Sequence, residues 1–245
     1  MTTVAVLADP PHSGFVLDDL AAASPLTDDE AATLYTAMLA DVCQAIESSG
    51  ADLLVNYRPD DQVPDGVDSE AVVRDSLTGV LADPNSVRFE VQVGSTRSAR
   101  IGNTVTHLLE REGVKTAAVV DPTAAFLART NVDSAAMKLR SSEVVLGPAP
   151  EGRVYYAGFG APIDFEDAYT APELTTLTER AADADHDVDF LPMQPVLDSA
   201  ADLPTAITTL RAHERAGRAV PQRTAACIEE FGLSVVDTEN GLDVV

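Results

Sequence analysis

Arg97 and Arg100 open a helix-period segment within GSTRSARIGN, residues 94–103, and stand one turn apart. Two guanidinium groups beside the free amides of a helix N-terminus can hold a phosphate or a carboxylate; the competing expectation is a solvated helix cap. Asp121 closes the apolar run of residues 115–120 and precedes Pro122, so it either faces a ligand from a strand end or caps the turn that follows. The other reactive side chains assemble nothing comparable. His12 sits in a loop where it is the histidine expected to reach a cleft, His107 lies inside a helical pattern, and His186 and His213 lie among acids. Ser13 and Ser98 have no nucleophile elbow around them, which leaves hydrolase chemistry without support. Cys43 and Cys227 are isolated, so neither a zinc motif nor a disulfide framework is indicated.

The elements that must position these residues alternate. Residues 4–8 read as a buried strand, followed by a loop over residues 9–25. Thr27 and Glu30 form a capping box that opens a long amphipathic helix over residues 27–49. Strands are expected at 52–57, 88–93, 115–120, 143–146, 153–159 and 187–191, and helices at 69–82, 98–112, 134–139, 172–182, 201–212 and 222–231. Residues 233–245 read as a hairpin around Asn240-Gly241. Strands separated by helices argue for a three-layer α/β/α fold with a mostly parallel mixed sheet. Ligands of such sheets bind beyond the carboxyl ends of the strands, which singles out the loops after Ala8, before Ser98, after Val120 and after Leu146. Residues 1–210 are expected to form the main α/β domain, with 211–245 a helix and hairpin packed on it.

Composition narrows the partners. The chain has 245 residues, 45% of them hydrophobic, and 40 acidic against 16 basic residues give a net charge of -24. That field repels nucleic acids and anionic membranes. No apolar run approaches the roughly 20 residues of a membrane span, and no signal peptide is recognisable, so a cytoplasmic location is expected. Among the basic residues 14 are Arg and two are Lys, and Trp is absent, a balance that resembles proteins of extreme halophiles. At about 1 M salt the Debye length is about 3 Å, which screens most of the self-repulsion.

Several segments resemble one family in order. Residues 144–159, VVLGPAPEGRVYYAGF, are similar to the pattern VVLGPaeDGGYYliGl of a group of nucleotide-diphosphosugar transferases with the glycosyltransferase-A fold, to which phospholactate guanylyltransferase is a more distant relative. Residues 24–39, SPLTDDEAATLYTAML, resemble pLspeeAaeLyraml; YTAPE at 169–173 stands where the group has WSTPE, and LDSAADL at 197–203 where it has vDTPEDL. The resemblance implies transfer of a glycosyl or nucleotidyl group from a nucleotide sugar or nucleoside triphosphate with Mg2+ or Mn2+. It places Asp121 and Glu151 near the metal and Gly14 in a phosphate-binding first loop; Arg97 and Arg100, the candidate anion contacts, stand where the group has GdLGeRM, and Arg153, a cation where the group has Gly, faces either an anionic ligand or a surface acid.

The departures fall on charge. The group's first loop, FAKxPxxGxVKTRL, lies on LADPPHSGFVLDDL at residues 7–20, and its three basic positions become Asp9, Leu17 and Asp19. The group's LiGSDCPgL lies on residues 119–127 and puts Thr123 at the metal-binding Asp, with Asp121 two residues earlier. Contact-range ion pairs at a diphosphate are worth on the order of 1 kcal/mol or more when partly desolvated, so weakened nucleotide binding is expected. A non-catalytic binding or regulatory module is the competing expectation.

Overall fold

The computed structural model describes residues 2–84, 87–239 and 241–245. Seven strands form one sheet: β1 (Thr2–Ala8), β2 (Asp52–Tyr57), β3 (Arg88–Val91), β4 (Thr116–Val120), β5 (Val144–Pro148), β6 (Val154–Phe159) and β7 (Val188–Phe190). Their order is β3-β2-β1-β4-β6-β5-β7. All neighbours pair in parallel except β6, which runs antiparallel to both β4 and β5. β1 is buried along its whole length, as its position inside the sheet demands.

Register sets up the functional edge. Ala8 pairs with Tyr57, Tyr57 with Val91, and Val6 with Val120. The residues that leave these strands, Asp9, Arg58, Gln92 and Asp121, therefore emerge along one rim. The chain turns back in strand order between β1 and β4, the kind of crevice in which α/β sheets bind ligands. Because β6 is antiparallel, its beginning lies at this rim, which brings in Arg153.

Helices cover both faces. α1 (Asp18–Ala22) precedes α2 (Asp28–Glu47), whose capping box is complete: Thr27 Oγ1 accepts from Glu30 N at 3.3 Å, and Glu30 Oε2 accepts from Thr27 N at 2.8 Å. Next come α3 (Ser69–Ser76), α4 (Arg97–Thr106), α5 (Arg129–Lys138), α6 (Glu173–Asp183), α7 (Leu203–Arg215) and α8 (Gln222–Glu230). One core cluster packs α2, α3 and α5 on one face of the sheet, and another packs α4 and α6 on the opposite face. A third joins α1 and α2 to α7, α8 and the C-terminal hairpin. That hairpin, β8 (Val235–Thr238) with β9 (Gly241–Val244), is antiparallel; Asn240 of its expected turn lies outside the described residues. No helix among the described residues is long and apolar enough to cross a membrane.

Three differences from the sequence expectation have local causes. α1 lies inside the expected loop 9–25: it starts after Leu17 at φ 54 without a side-chain cap, and burial of Leu20 and Ala21 holds it. α5 begins at Arg129, five residues earlier than expected, because Asn131 Oδ1 accepts from Ala128 N at 2.9 Å and substitutes for a side-chain cap at Ala128. α3 stops at Ser76 and continues only as turns toward residue 82.

Candidate functional site

A cleft of about 370 Å3 opens at the rim where β1, β4 and β6 meet. Its charged walls are Asp9, Asp18, Asp121, Glu173, Asp198, Arg97 and Arg153, and the first loop contributes Phe15, Val16 and Leu17. Beside it lies a cavity of about 50 Å3 reached by Arg58, Gln92, Arg97 and Arg100 together with Asp9 and Asp121. The loops expected to surround a ligand do converge here, and the end of β2, not among those singled out, joins them.

Asp9 receives two hydrogen bonds from Arg58, from Nε at 2.5 Å and from Nη2 at 2.8 Å. The first loop's carboxylate is thus paired with an arginine at the end of the neighbouring strand β2. Burial raises the Asp9 carboxyl from its ordinary range, and the charge of Arg58 works against that rise. The backbone amide of Asp9 donates to the Tyr35 hydroxyl at 2.8 Å. Tyr35 is 5% exposed, and burial pushes its phenol well above the usual range, so it keeps its proton.

Arg97 and Asp121 meet each other. Arg97 Nη1 donates to Asp121 Oδ1 at 2.9 Å and Nη2 to Oδ2 at 2.5 Å. The two residues that the sequence suggested as anion ligand and metal ligand form one bidentate pair, and the expected backbone cap from the Asp121 side chain is replaced by this pair. Arg97 Nε is buried and donates to nothing; the Glu173 carboxylate lies 3.7 Å away. Glu173, at the start of α6, accepts from Val154 N at 3.1 Å, and burial raises its carboxyl. Ser98 Oγ accepts from Tyr169 N at 3.0 Å, an anchoring role with no part in nucleophilic chemistry.

Arg153 is committed as well. Its Nη1 and Nη2 donate to Asp202 at 2.9 and 2.5 Å, and its Nε donates to Pro150 O at 3.1 Å. Asp202 is only 7% exposed and also accepts from Asp198 N and Ser199 N. Burial opposes its ionisation, but Arg153 and these amides hold its carboxyl below the ordinary range. Of the two outcomes open for Arg153, an anionic ligand or an acidic partner, the structure displays the second.

Three sequence candidates lie outside this arrangement. Glu151, in the turn Pro150–Gly152 with φ 63, has a side chain 72% exposed and 3.8 Å from Arg153, and it does not line the cleft with Asp121. Gly14 has φ 71 in a tight turn where the next two amides, of Phe15 and Val16, both donate to His12 O; these amides are turned inward instead of toward a phosphate. His12 is exposed, with Nδ1 2.9 Å from Ser13 O, and is not among the cleft residues.

Asp198, and not Glu151, lines the cleft with Asp121. It sits on the connection between β7 and α7, which is tied to the loop after β4 by Leu197 N donating to Thr123 O at 2.9 Å. Its carboxylate accepts no hydrogen bond among the described residues; desolvation by the cleft walls, then the charge of Asp121, raise its pKa. No group of three or more His, Cys, Asp or Glu able to hold a metal occurs among the described residues. Signals for the missed residues existed. Arg58 directly follows a strand end, Asp198 lies within the segment LDSAADL, and Glu173 ends YTAPE.

No protein-family model matches the chain, and no curated protein sequence does. Solved structures match its fold. A protein of Desulfovibrio desulfuricans G20, provisionally assigned to the nucleotide-diphospho-sugar transferases, is 20% identical and superposes with a TM-score of 0.76 over 94% of this chain and 95% of its own. A cytidylyltransferase of Leptospira borgpetersenii serovar Hardjo-bovis is 9% identical, with a TM-score of 0.50 over 94% of each chain. The fold is the mixed, mostly parallel α/β architecture of nucleotide-diphospho-sugar transferases.

Proposed function

We propose that the cleft binds a nucleoside-diphosphate sugar or a nucleoside triphosphate together with a divalent cation, and that the protein transfers a glycosyl or nucleotidyl group from it. The observation that carries this reading is the division of charge across the cleft and the small cavity beside it. Arg58, Arg97 and Arg100 gather with Asp9 and Asp121 at the rim of β1 to β4, while Asp198 and Glu173 lie on the side of β6 and α6. A metal-nucleotide complex presents the complementary halves, phosphate oxygens and a cation.

The donor set fits Mg2+ or Mn2+. Such ions take carboxylate oxygens, need one or two of them, and complete their shells with phosphate and water. Asp121 and Asp198 would hold the ion, and when bound it would withdraw negative charge from the phosphate oxygens at the reacting phosphorus. Arg97, with an unpartnered Nε and a fork resting on Asp121, is the group that turns from carboxylate to phosphate. Arg153, locked by Asp202 and Pro150, lends a fixed positive charge. Tyr35 remains protonated and offers its hydroxyl hydrogen to the cleft. Phe15, Val16 and Leu17 give the cleft an apolar wall. In this reading Arg58 supplies the first-loop cation that Asp9 replaced.

Calorimetric titration with nucleoside-diphosphate sugars and nucleoside triphosphates, each with and without Mn2+, tests the reading. Saturable binding that requires Mn2+ is expected; no binding by any of them overturns it. The second reading, a non-catalytic module, is favoured by one observation: both oxygens of Asp121 and both of Asp9 are already occupied by arginine. It expects binding without turnover, and Asp121→Ala and Glu151→Ala variants altered in stability alone.

A further inference from the structure

The lining of the small cavity beside the main cleft includes one arginine that no described residue pairs. Gln92 closes it, and Arg58, Arg97, Arg100, Asp9 and Asp121 surround it. Asp9 answers Arg58 and Asp121 answers Arg97. Among the described residues, the Arg100 guanidinium donates no hydrogen bond and joins no ion pair. Three guanidinium groups and two carboxylates line the cavity, and a third carboxylate, Glu173, stands outside it 3.7 Å from Arg97, so Arg100 is the one of the three arginines without a carboxylate against it. Burial, and then the neighbouring charge of Arg58, lower the pKa of Arg100, which marks a cation held under repulsion. A partly desolvated cation in such company costs free energy unless an anion completes the group.

Size and shape narrow the anion. A cavity of about 50 Å3 admits a single small group and excludes a nucleoside. A planar guanidinium fork matches the paired oxygens of a phosphoryl or carboxylate group. We propose that this cavity is a subsite for one oxyanion group, with Arg100 as its principal contact and Arg58 and Arg97 as its flanks. Its place beside the main cleft assigns that group to a co-substrate carrying a phosphoryl or carboxylate terminus. The co-substrate assignment rests on the transferase reading; the anion site itself does not.

The test is a calorimetric titration with inorganic phosphate and, separately, acetate. It is done in EDTA, at the lowest potassium chloride concentration that keeps the protein folded. Saturable binding of at least one probe is expected, weakened about tenfold or more by Arg100→Gln, the equivalent of one charge-assisted bond. Arg140→Gln, an exposed change at the end of α5, should leave it intact. Because the Arg100 side chain bonds to nothing among the described residues, Arg100→Gln should melt within about 2 °C of wild type or above it, which separates loss of binding from loss of fold. Arg100→Lys, which keeps the charge and loses the fork, should bind more weakly than wild type and is the second variant should the first fail to fold. Phosphate binding alone assigns a phosphoryl group, and acetate binding alone a carboxylate. No binding of either probe, or binding unchanged in both Arg100 variants, overturns the subsite. Phosphate binding without any nucleotide binding keeps the subsite and removes the transferase reading; Mn2+-dependent nucleotide binding with no probe bound does the reverse.

Discussion

The two sides of the cleft use arginine differently. On the side of β1, β2, β3 and α4, Arg58 faces Asp9, Arg97 faces Asp121 and, more loosely, Glu173, and Arg100 faces no carboxylate as an ion pair among the described residues. On the side of β6, α6 and the β7 to α7 connection, Arg153 is consumed by Asp202, Glu173 reaches across to Arg97, and the Asp198 carboxylate accepts no hydrogen bond among the described residues. A chain of net charge -24 has every reason to scatter carboxylates over its surface, but that does not collect three of its 14 arginines at one rim. The difference teaches that the cleft is polarised, basic where a phosphate would lie and acidic where a cation would lie.

Breaking the acidic side at its foundation should have the largest effect. Asp202→Ala strips Arg153 of its partner in a buried pair and removes the acceptor of the Asp198 and Ser199 amides, for a predicted loss of about 3–5 kcal/mol in urea unfolding. Asp198→Asn, one loop position away, should behave in the opposite manner. It should weaken Mn2+-dependent nucleotide binding by about 10–100-fold, the range for one charge-assisted contact, without loss of fold.

The pH dependence sharpens the contrast, because the shifts have opposite signs. Asp202 is held below the ordinary carboxylate range, so its contribution to stability is present above that range and lost as pH falls through its lowered value. Asp198 is raised, so stability linked to its protonation is complete below the ordinary range and is lost as pH rises through its raised value. Asp198→Asn should therefore match wild type in acid and become the more stable of the two as pH rises, by a small margin suited to a solvent-open group. Urea unfolding at a series of pH values measures both. The smallest effect belongs to the basic side: Arg100→Gln should change unfolding stability by less than about 0.5 kcal/mol, since its side chain makes no hydrogen bond or ion pair among the described residues.

How much of this was legible follows from the kind of signal each part carries. Strand β2 and helix α2 announce themselves through periodicity and, for α2, through Thr27 and Glu30. α1 does not, because its start at Leu17 is stabilised by burial of Leu20 and Ala21 instead of by a local cap. Arg97, Arg100, Asp121 and Arg153 were visible as chemistry at strand and helix ends. Their partners were not: whether Arg97 faces a phosphate or Asp121 depends on how α4 sits over β4, and Asp9 meets Arg58 only because β1 and β2 pair in the register of Ala8 with Tyr57. Lateral register leaves no trace in a single sequence. Glu151 shows the converse, a carboxylate kept near a familiar motif yet turned outward by the left-handed turn at that residue.

The polarised cleft is tested most directly by titrating wild type and Asp198→Asn with a panel of nucleoside-diphosphate sugars and nucleoside triphosphates in the presence and absence of Mn2+. The account predicts saturable binding of at least one of them by wild type, dependent on Mn2+ and weakened about 10–100-fold in Asp198→Asn. Binding that ignores both the metal and Asp198, or no binding at all by folded protein, would contradict it.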